Sequence, residues 1–524
     1  MSVAVACTAF LDRNTVQCHN DADCVHFGGH PSCDLTELVC KPSGLAPSDC
    51  FLGTPAANTD FYNRCSKSFL PSKASAAACL SFDNCGRLGL GCGSPEDAGI
   101  DANDPLVPPP PQDAAAAEGG IAPPLLPPYC KDLIPSGSSA VYLSGSSNFV
   151  GLLAQLAPIL AQQPYNLAPV LRVTDSCTGA SSMYPGNEQT SHIIRDPQPG
   201  GTYAQYYDGS GGMHDCLLGA NGVQVDVGES EIFPATCGLE EDPDHVLHTQ
   251  GPVLPILFVV PQASLEVAIS ASAAREVLGS GGAGLPDGGV PWNSLFIRGS
   301  GTATARLIGL AIGVPVPMNR LWGSDQGSAR ALGANLALVQ TAGPAEAALG
   351  LLGSDTYDQH RLDLKALAFQ ADGQECAYLP DSSSFTKDKI NVRDGHYPIW
   401  GTLHFFIALS SKMPVSQQAF AFVSPFSGPK PPIEILDAFI GAHWVPQCAM
   451  KVERLTEMGD FVTDHPPPFQ CNCYFDSHVL GPGKMAPGCK MCMDDDACDV
   501  GFFCNYGPNS GGHDGTMGFC ESLY

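Results

Sequence analysis

Cysteine placement constrains this chain more than any other feature. Of its 23 cysteines, ten fall within residues 1–92, six lie between Cys130 and Cys448, and seven run from Cys471 onward. Dense cysteine in loop-rich, Gly/Pro-rich ends closes disulfides, which persist in an oxidising compartment. The first end carries Cys18-His-Asn-Asp-Ala-Asp-Cys24, then Cys33 and Cys40. The last carries Cys492-Met-Asp-Asp-Asp-Ala-Cys498, then Cys504 and Cys520. Both units open on the same cysteine spacing with an acidic cluster before the second cysteine, which is an internal repeat. The acidic clusters lack the alternating carboxylate spacing and glycine of a calcium loop, so they read as solvated loops on disulfide knots. Cys471-x-Cys473 and Cys489-x-x-Cys492 have zinc-like spacing, but they sit inside a longer cysteine ladder that zinc does not explain.

The cysteine-rich ends bracket a different kind of sequence. Residues 1–92 form one disulfide module and 456–524 another. Residues 93–128, with a tetraproline at Pro108–Pro111 and the run Ala114–Ala117, form an extended linker. Residues 129–455 alternate short strand-like runs with helix-like runs, which is the α/β signature. A chain that is 44% hydrophobic and 15% charged supplies a sizeable core. With 25 Lys+Arg against 53 Asp+Glu, its formal net charge is −28. No cationic face is available to displace counterions from nucleic acid, so that class of partner is excluded. Acidity does not exclude a small anion, which aligned neutral dipoles can hold.

Two stretches in the middle region have the same design. Leu295-Phe296-Ile297 reads as a strand, Arg298-Gly299-Ser300-Gly301-Thr302 as a small-residue turn, and Ala303 to Leu310 as a helix capped by Thr302. Ala140 to Leu143 reads as a strand, Ser144 to Asn148 as a polar turn, and Phe149 to Leu160 as a helix capped by Ser147 or Asn148, with Pro158 bending or restarting it. Each aims unpaired helix N–H groups and small hydroxyls at one spot, a geometry that receives anions. Two such termini far apart in sequence suggest two lobes meeting over one anion. A third small-residue loop, Ser176 to Ser182, follows the strand Val170–Val173. A strand over Gly222–Glu231 ends in Ser230 and Glu231. Pro255–Pro261 reads as a buried strand, Ser270–Leu278 as a helix, Leu364–Phe369 as a strand, and Asp388–Trp400 as a return crossing. Cys216 and Cys237 flank a strand and form the best single disulfide candidate.

The order of these elements resembles the type 2 periplasmic solute-binding proteins, and within them the phosphate-binding, PstS-like branch. The resemblance rests on Ser144-Gly145-Ser146-Ser147-Asn148-Phe149, Thr178-Gly179-Ala180-Ser181-Ser182, Gly228-Glu229-Ser230-Glu231 and Arg298-Gly299-Ser300-Gly301-Thr302, in that order. It extends over residues 139–450. It implies a periplasmic-binding-protein-like II fold: two α/β lobes joined by two crossover strands and closing over a tetrahedral oxyanion. By motif it places Ser147, Asn148 and Phe149, Ser181 or Ser182, Ser230 and Glu231, and Ser300, Gly301 and Thr302 at the ligand, with Arg298 as charged partner. Glu231 takes the position of a carboxylate that accepts the proton of a protonated phosphate and thereby rejects sulfate. Against the family pattern Arg298 lies two residues closer to its serine, Glu231 replaces an aspartate, and Asn148 stands where threonine is common.

Two functions follow from this reading. One is extracytoplasmic binding of inorganic phosphate or a similar oxyanion, feeding an ABC transporter. The alternative is a structural or adhesive surface protein that contacts cell-surface components and keeps the binding fold as a scaffold with a degenerate site. No cofactor or metal is implied. Neither a Gly-x-Ser-x-Gly elbow nor His-Glu-x-x-His is present, and the expectation is a protein that is not an enzyme. His245-x-x-His248, among acidic neighbours and close to a proline, reads as a polar loop. The expected location is periplasmic, cell-surface or secreted. Ala4-Val5-Ala6-Cys7 fits either a trimmed start or the tail of a lipoprotein signal, with lipidated Cys7 as membrane attachment.

Overall fold

The computed structural model describes residues 126–522 apart from 185–191, 198–200, 282–291, 293, 315, 317–320, 343–344, 373, 375–376, 428–429, 460, 463–469, 482–483, 487 and 506–517; it also describes the two short strands Ser32–Asp34 and Val39–Lys41. Those two strands pair in antiparallel register with Cys33 opposite Cys40. The rest of the first cysteine module, Cys7, the linker up to residue 125 and Cys376 lie outside the described residues.

The strands that build the main sheet are β1 (Ser139–Gly145), β2 (Leu167–Val173), β3 (Ala204–Tyr207), β4 (Met213–Cys216), β5 (Val227–Ser230), β6 (Val246–Pro261), β7 (Ser294–Ile297), β8 (Ser324–Asp325), β9 (Ala348–Gly353), β10 (Leu364–Ala366) and β11 (Trp400–Ser410). The helices are α1 (Phe149–Leu160), α2 (Ser176–Ser181), α3 (Ala271–Ser280), α4 (Ala303–Ala311), α5 (Ala329–Ala342), α6 (Ser354–Gln359), α7 (Gln417–Ser427), α8 (Ile433–Gly441) and α9 (Asn472–Leu480). The twelve-stranded sheet follows the path β8-β7-β9-β6-β11-β5-β1-β2-β3-β4, with β10 paired to β6 and the short strand Met413–Pro414 paired to β11 off the path.

Strand direction divides this sheet into two lobes. In the first, β1 runs parallel to β2 and β5. In the second, β7 runs parallel to β8 and β9. Each parallel set needs a helical crossover, supplied by α1 and α4. The antiparallel pair β6 and β11 joins the two sets. The first part of β6 pairs with β11 from Val246↔Ala408 to Pro255↔Trp400. Its last part, from Ile256 onward, pairs with β9 and β10 in the second lobe. Thus β6 crosses into the second lobe and β11 returns beside it to meet β5. The architecture is an α/β two-lobed fold with two crossover strands, as expected.

Both lobes are built on continuous apolar faces. On α1, Phe149, Leu152, Leu153, Leu156 and Leu160 are all fully buried, a stripe at helical spacing. The helix runs through Pro158 without restarting. In β6 every residue from Pro252 to Pro261 is buried, which matches a strand covered on both faces.

Several expectations are corrected. The loop expected at Ser176–Ser182 is the helix α2, because Asp175 caps it by accepting from Thr178 N at 2.8 Å. The return crossing is β11, not 388–400. Residues Ile390–Arg393 form one helical turn, pinned where the Asn391 amide donates to the Leu379 and Asp381 carbonyls. The Leu364–Phe369 strand is two strands: β10 pairs with β6, and Ala368–Gln370 pairs in parallel with Ala268–Ser270. Cys216 and Cys237 do not pair with each other. Cys216 on β4 bonds Cys130, and Cys237 bonds Cys177 on α2. The partners are set by which elements pack, not by closeness in sequence.

The C-terminal cysteines make a compact unit of their own. Cys473–Cys489, Cys492–Cys504 and Cys498–Cys520 staple α9 and a three-stranded sheet, and Cys448–Cys471 ties the unit to the end of the lobed region. All four cysteines with zinc-like spacing are consumed in these bonds. Arg393, fully buried, reaches from the lobed region to Asp476 and to Asn472 Oδ1 at 2.9 Å.

Candidate functional site

The C-terminal ends of the parallel strands point into the cleft between the lobes, and the turns after β1, β2, β5 and β7 meet there. The turn after β1 contributes Ser146. Its backbone N–H donates to Glu229 Oε2 at 2.7 Å, its hydroxyl donates to Glu231 Oε1, and the same hydroxyl accepts from Asn148 N at 3.1 Å. The start of α2 contributes Ser176, whose hydroxyl donates to Glu231 Oε2 at 2.7 Å. Both oxygens of the fully buried Glu231 carboxylate are therefore held by serine hydroxyls of the first lobe.

The second lobe reaches the same point through its helix N-termini. Ala303 N, the first N–H of α4, donates to Ser176 Oγ at 2.9 Å. Ala329 N, the first N–H of α5, donates to Ser147 Oγ at 3.4 Å, and Arg298 Nη2 donates to that oxygen at 3.1 Å. Cys177 N donates to Gly301 O at 3.3 Å. Arg306 on α4 donates to Thr236 O in the first lobe and to Ser300 O at 3.0 Å. Two glycines permit this closeness. A Cβ on Gly145 would lie 2.1 Å from Glu229 Oε2, and one on Gly301 would lie 2.6 Å from the Asp175 carboxyl carbon.

Charge in the cleft is unbalanced. Three carboxyls are buried in the cleft: Glu231 and Asp355 act on the Arg298 guanidinium, as does Asp325, and Glu229 lies beside Glu231. Burial, then the neighbouring Glu231 charge, holds the Glu229 carboxyl well above its usual range. Burial also raises Glu231, opposed by the hydroxyls of Ser146 and Ser176 and by Arg298. Asp355 is pushed up to about 7, mainly by burial. Burial lowers the Arg298 pKa against the pull of Asp325, Glu231 and Asp355. Four buried atoms here, Glu229 Oε1, Asn148 Oδ1, Arg298 Nε and Asp355 Oδ1, have no hydrogen-bond partner among the described residues. Buried polar atoms are rarely left so, and a cluster of them marks a place where another polar group belongs. Beside Arg298 a pocket of about 300 Å³ opens on the second lobe, lined by Ser300, Asp325, Ile297, Ala305 and Leu321 among others.

The expected site residues divide into two groups. Glu231, Arg298, Ser147 and the backbone of Asn148 gather at the cleft. Gly301 and Ser300 present carbonyls there, to Cys177 and Arg306. Thr302 caps α4 by accepting from Ala305 N at 3.3 Å. Phe149 opens α1, but its ring packs into the core 5.7 Å from Phe405. The remainder point elsewhere. The Ser181 hydroxyl donates to Thr178 O and the Ser182 hydroxyl to Gly179 O, at the far end of α2. Ser230 donates to Ile232 O on the opposite face of β5 from Glu229. Four cleft residues were not anticipated: Ser146, Ser176, Glu229 and Asp355. Glu229 was legible, since a strand places residues two apart on one face. His245 and His248 lie outside the cleft; His245 contacts Asp242, and His248 contacts Glu241 and His404.

No protein-family model matches the chain, and no curated protein matches its sequence. Solved structures resemble it in part. A putative phosphate ABC transporter substrate-binding protein with bound phosphate from Clostridium perfringens is 11% identical at TM-score 0.37, with 59% of this chain and 99% of that one covered. An ABC-type phosphate transport receptor from Vibrio cholerae is 11% identical at TM-score 0.37, covering 59% and 100%. An OxyR variant from Corynebacterium glutamicum is 10% identical at TM-score 0.32, covering 60% and 69%. The two-lobed assignment rests on the chain's own strand pairing.

Proposed function

We propose that this protein binds a small, protonated oxyanion, with inorganic phosphate as the simplest case, in the cleft between its lobes. One observation carries the reading: the hydroxyls of Ser146 and Ser176, backed by the N-terminus of α4 and neighboured by Arg298, already hold a carboxylate, that of Glu231. A site that seats one oxyanion has the donors to seat another. The ligand takes over the serine hydroxyls while Arg298 offsets its charge. Buried carboxyls outnumber the guanidinium groups of Arg298 and Arg306 in the cleft, which favours a ligand that brings a proton of its own. A hydrogen phosphate donates that proton in a hydrogen bond to Glu231. Sulfate at neutral pH has none and sets negative charge against negative charge. Six disulfides among the described residues suit an oxidising, extracytoplasmic location. Delivery of the anion to an ABC transporter, and membrane attachment through a lipidated Cys7, complete the proposal.

A second reading has its own observation. Glu231 fills both hydroxyls itself and the lobes are directly bonded across the cleft, which suits a surface scaffold whose site is plugged by its own carboxylate. Isothermal titration separates the two. The binding reading expects micromolar phosphate and no sulfate. It expects a loss of about 10- to 150-fold in Ser176→Ala, the worth of one hydrogen bond to a charged group. It also expects narrowed phosphate–sulfate discrimination in Glu231→Gln, whose amide can donate. No heat from either anion, in folded protein freed of ligand by refolding, rejects binding and leaves the scaffold.

A further inference from the structure

A second pocket, of about 160 Å³, lies where the C-terminal unit meets the lobed region. Three separate pieces of chain build it: Lys387 and Lys389 before the 390–393 turn; Ile440, His443 and Trp444 at the end of α8; and Phe475, His478 and Val479 on α9. Four of its eight lining residues are Lys or His. In a chain with only 25 Lys+Arg and 14 His among 524 residues, that concentration is far above the background. None of the eight is acidic.

The charges are not equivalent. Lys389, buried, is spent on Asp358 at 2.9 Å and Asp381 at 3.0 Å, and Arg361 completes that cluster at 2.6 Å from each carboxylate. Two carboxylates and two cations leave it neutral. The Lys387 ammonium, half-buried, donates only to the Asp358 carbonyl at 3.3 Å and has no carboxylate partner among the described residues. His478 sits 3.5 Å from Asp437 at the rim, and His443 Nδ1 is 3.6 Å from Asp358. Beneath this polar rim the floor is Ile440, Trp444, Phe475 and Val479. An uncompensated cation above an aromatic floor selects a ligand with a negative head and an apolar body. The volume is below the range of about 300–1,000 Å³ usual for larger ligands.

We propose that this pocket binds a small amphiphilic carboxylate, an aromatic or branched aliphatic acid of a few carbons, with its carboxylate on Lys387 and its apolar body against Trp444 and Phe475. Burial lowers His443 to about 4, so its ring is neutral at physiological pH and offers a hydrogen bond without adding charge. The site needs α9 for one wall, which gives the C-terminal unit a role in binding besides its staples.

Titration of the full chain with phenylacetate, and with phenylacetamide as the uncharged analogue, tests this. Phenylacetate should bind at least tenfold tighter than the amide. Lys387→Met should erase that preference, Lys387→Arg should keep it, and Val479→Trp, which fills the pocket, should abolish binding of both. Saturating phosphate should leave phenylacetate affinity unchanged. The absence of phenylacetate binding, equal affinity for acid and amide, an unaffected Lys387→Met variant, or competition by phosphate would each overturn the assignment.

Discussion

Asp355→Asn should stabilise the protein above neutral pH and not below pH 4. Asp355 opens α6 at the cleft, 5% exposed, with Oδ1 unpartnered and Oδ2 only 3.3 Å from the Thr356 hydroxyl. Burial is the main cause that lifts its pKa from 3.8 to about 7, with the charges of Glu231 and Asp358 adding to it. The folded state therefore holds this proton over a pH range in which the unfolded chain has released it. Stability is fully present below about pH 4 and falls as pH rises toward 7. At about 1.4 kcal/mol per pH unit, the penalty reaches about 4 kcal/mol above pH 7. Asparagine removes the titration but brings an amide N–H₂ that needs an acceptor, at a cost of about 1–2 kcal/mol. The net expectation is a gain of about 2–3 kcal/mol at pH 8 and a small loss at pH 4. Guanidinium unfolding of both proteins, disulfides intact, at several pH values between 4 and 8 measures the difference. It should grow by about 4 kcal/mol and then level off. A difference that does not change with pH would refute the argument, whatever its size.

Two other outcomes are expected. Replacing Cys177 and Cys237 together by serine opens a bond spanning 60 residues, which should cost about 4 kcal/mol by loop entropy and, because α2 carries Ser176, weaken the proposed phosphate binding in the same titrations. Arg393→Ala removes the buried link to Asp476 and Asn472 and the stacking on Phe475 at 4.8 Å; a loss of about 3–5 kcal/mol should speed amide exchange in α9 while β6 amides stay protected.

The fold was legible where one period dominates a stretch. The α1 stripe, the proline-bounded apolar run of β6 and the Thr302 cap are local features, and each appears where the sequence places it. Strand order and the crossing pair could be expected only through the order of several turns, none decisive alone. The site was legible in part for the same reason. Ser181 and Ser182 were candidates because Ser176–Ser182 reads as a loop. Once Asp175 caps it into a helix, only its first hydroxyl can face the cleft, and that is Ser176. Ser230 and Glu231 read as a pair in sequence, but a strand sends neighbours to opposite faces, so Glu231 belongs with Glu229 instead. Asp355 carries no motif; its importance comes from burial beside Glu231 and Arg298, contacts across more than fifty residues of sequence that no local pattern encodes.

How the cleft opens follows from what holds it shut. At the crossing strands, the Arg454 guanidinium stacks on Trp400 at 3.7 Å and donates to the Pro398 and Trp400 carbonyls. Glu457 accepts from Phe233 N and the Thr236 hydroxyl in the first lobe. This segment ties the start of β11 to the first lobe, and relative motion of the lobes must in addition break the bonds across the cleft. There, Ala303 on Ser176, Ala329 and Arg298 on Ser147, Cys177 on Gly301 and Arg306 on Thr236 all bridge the lobes. Five such bonds at about 1 kcal/mol each leave the open state on the order of 10⁻³ to 10⁻⁴ of the population. A ligand that enters only through the open state then associates correspondingly more slowly than diffusion allows, and once inside it inherits the same five bonds as a barrier to leaving. On the binding reading proposed above, such a clamp retains its anion rather than exchanging it quickly, and Glu231 keeps the serine hydroxyls satisfied until the anion arrives.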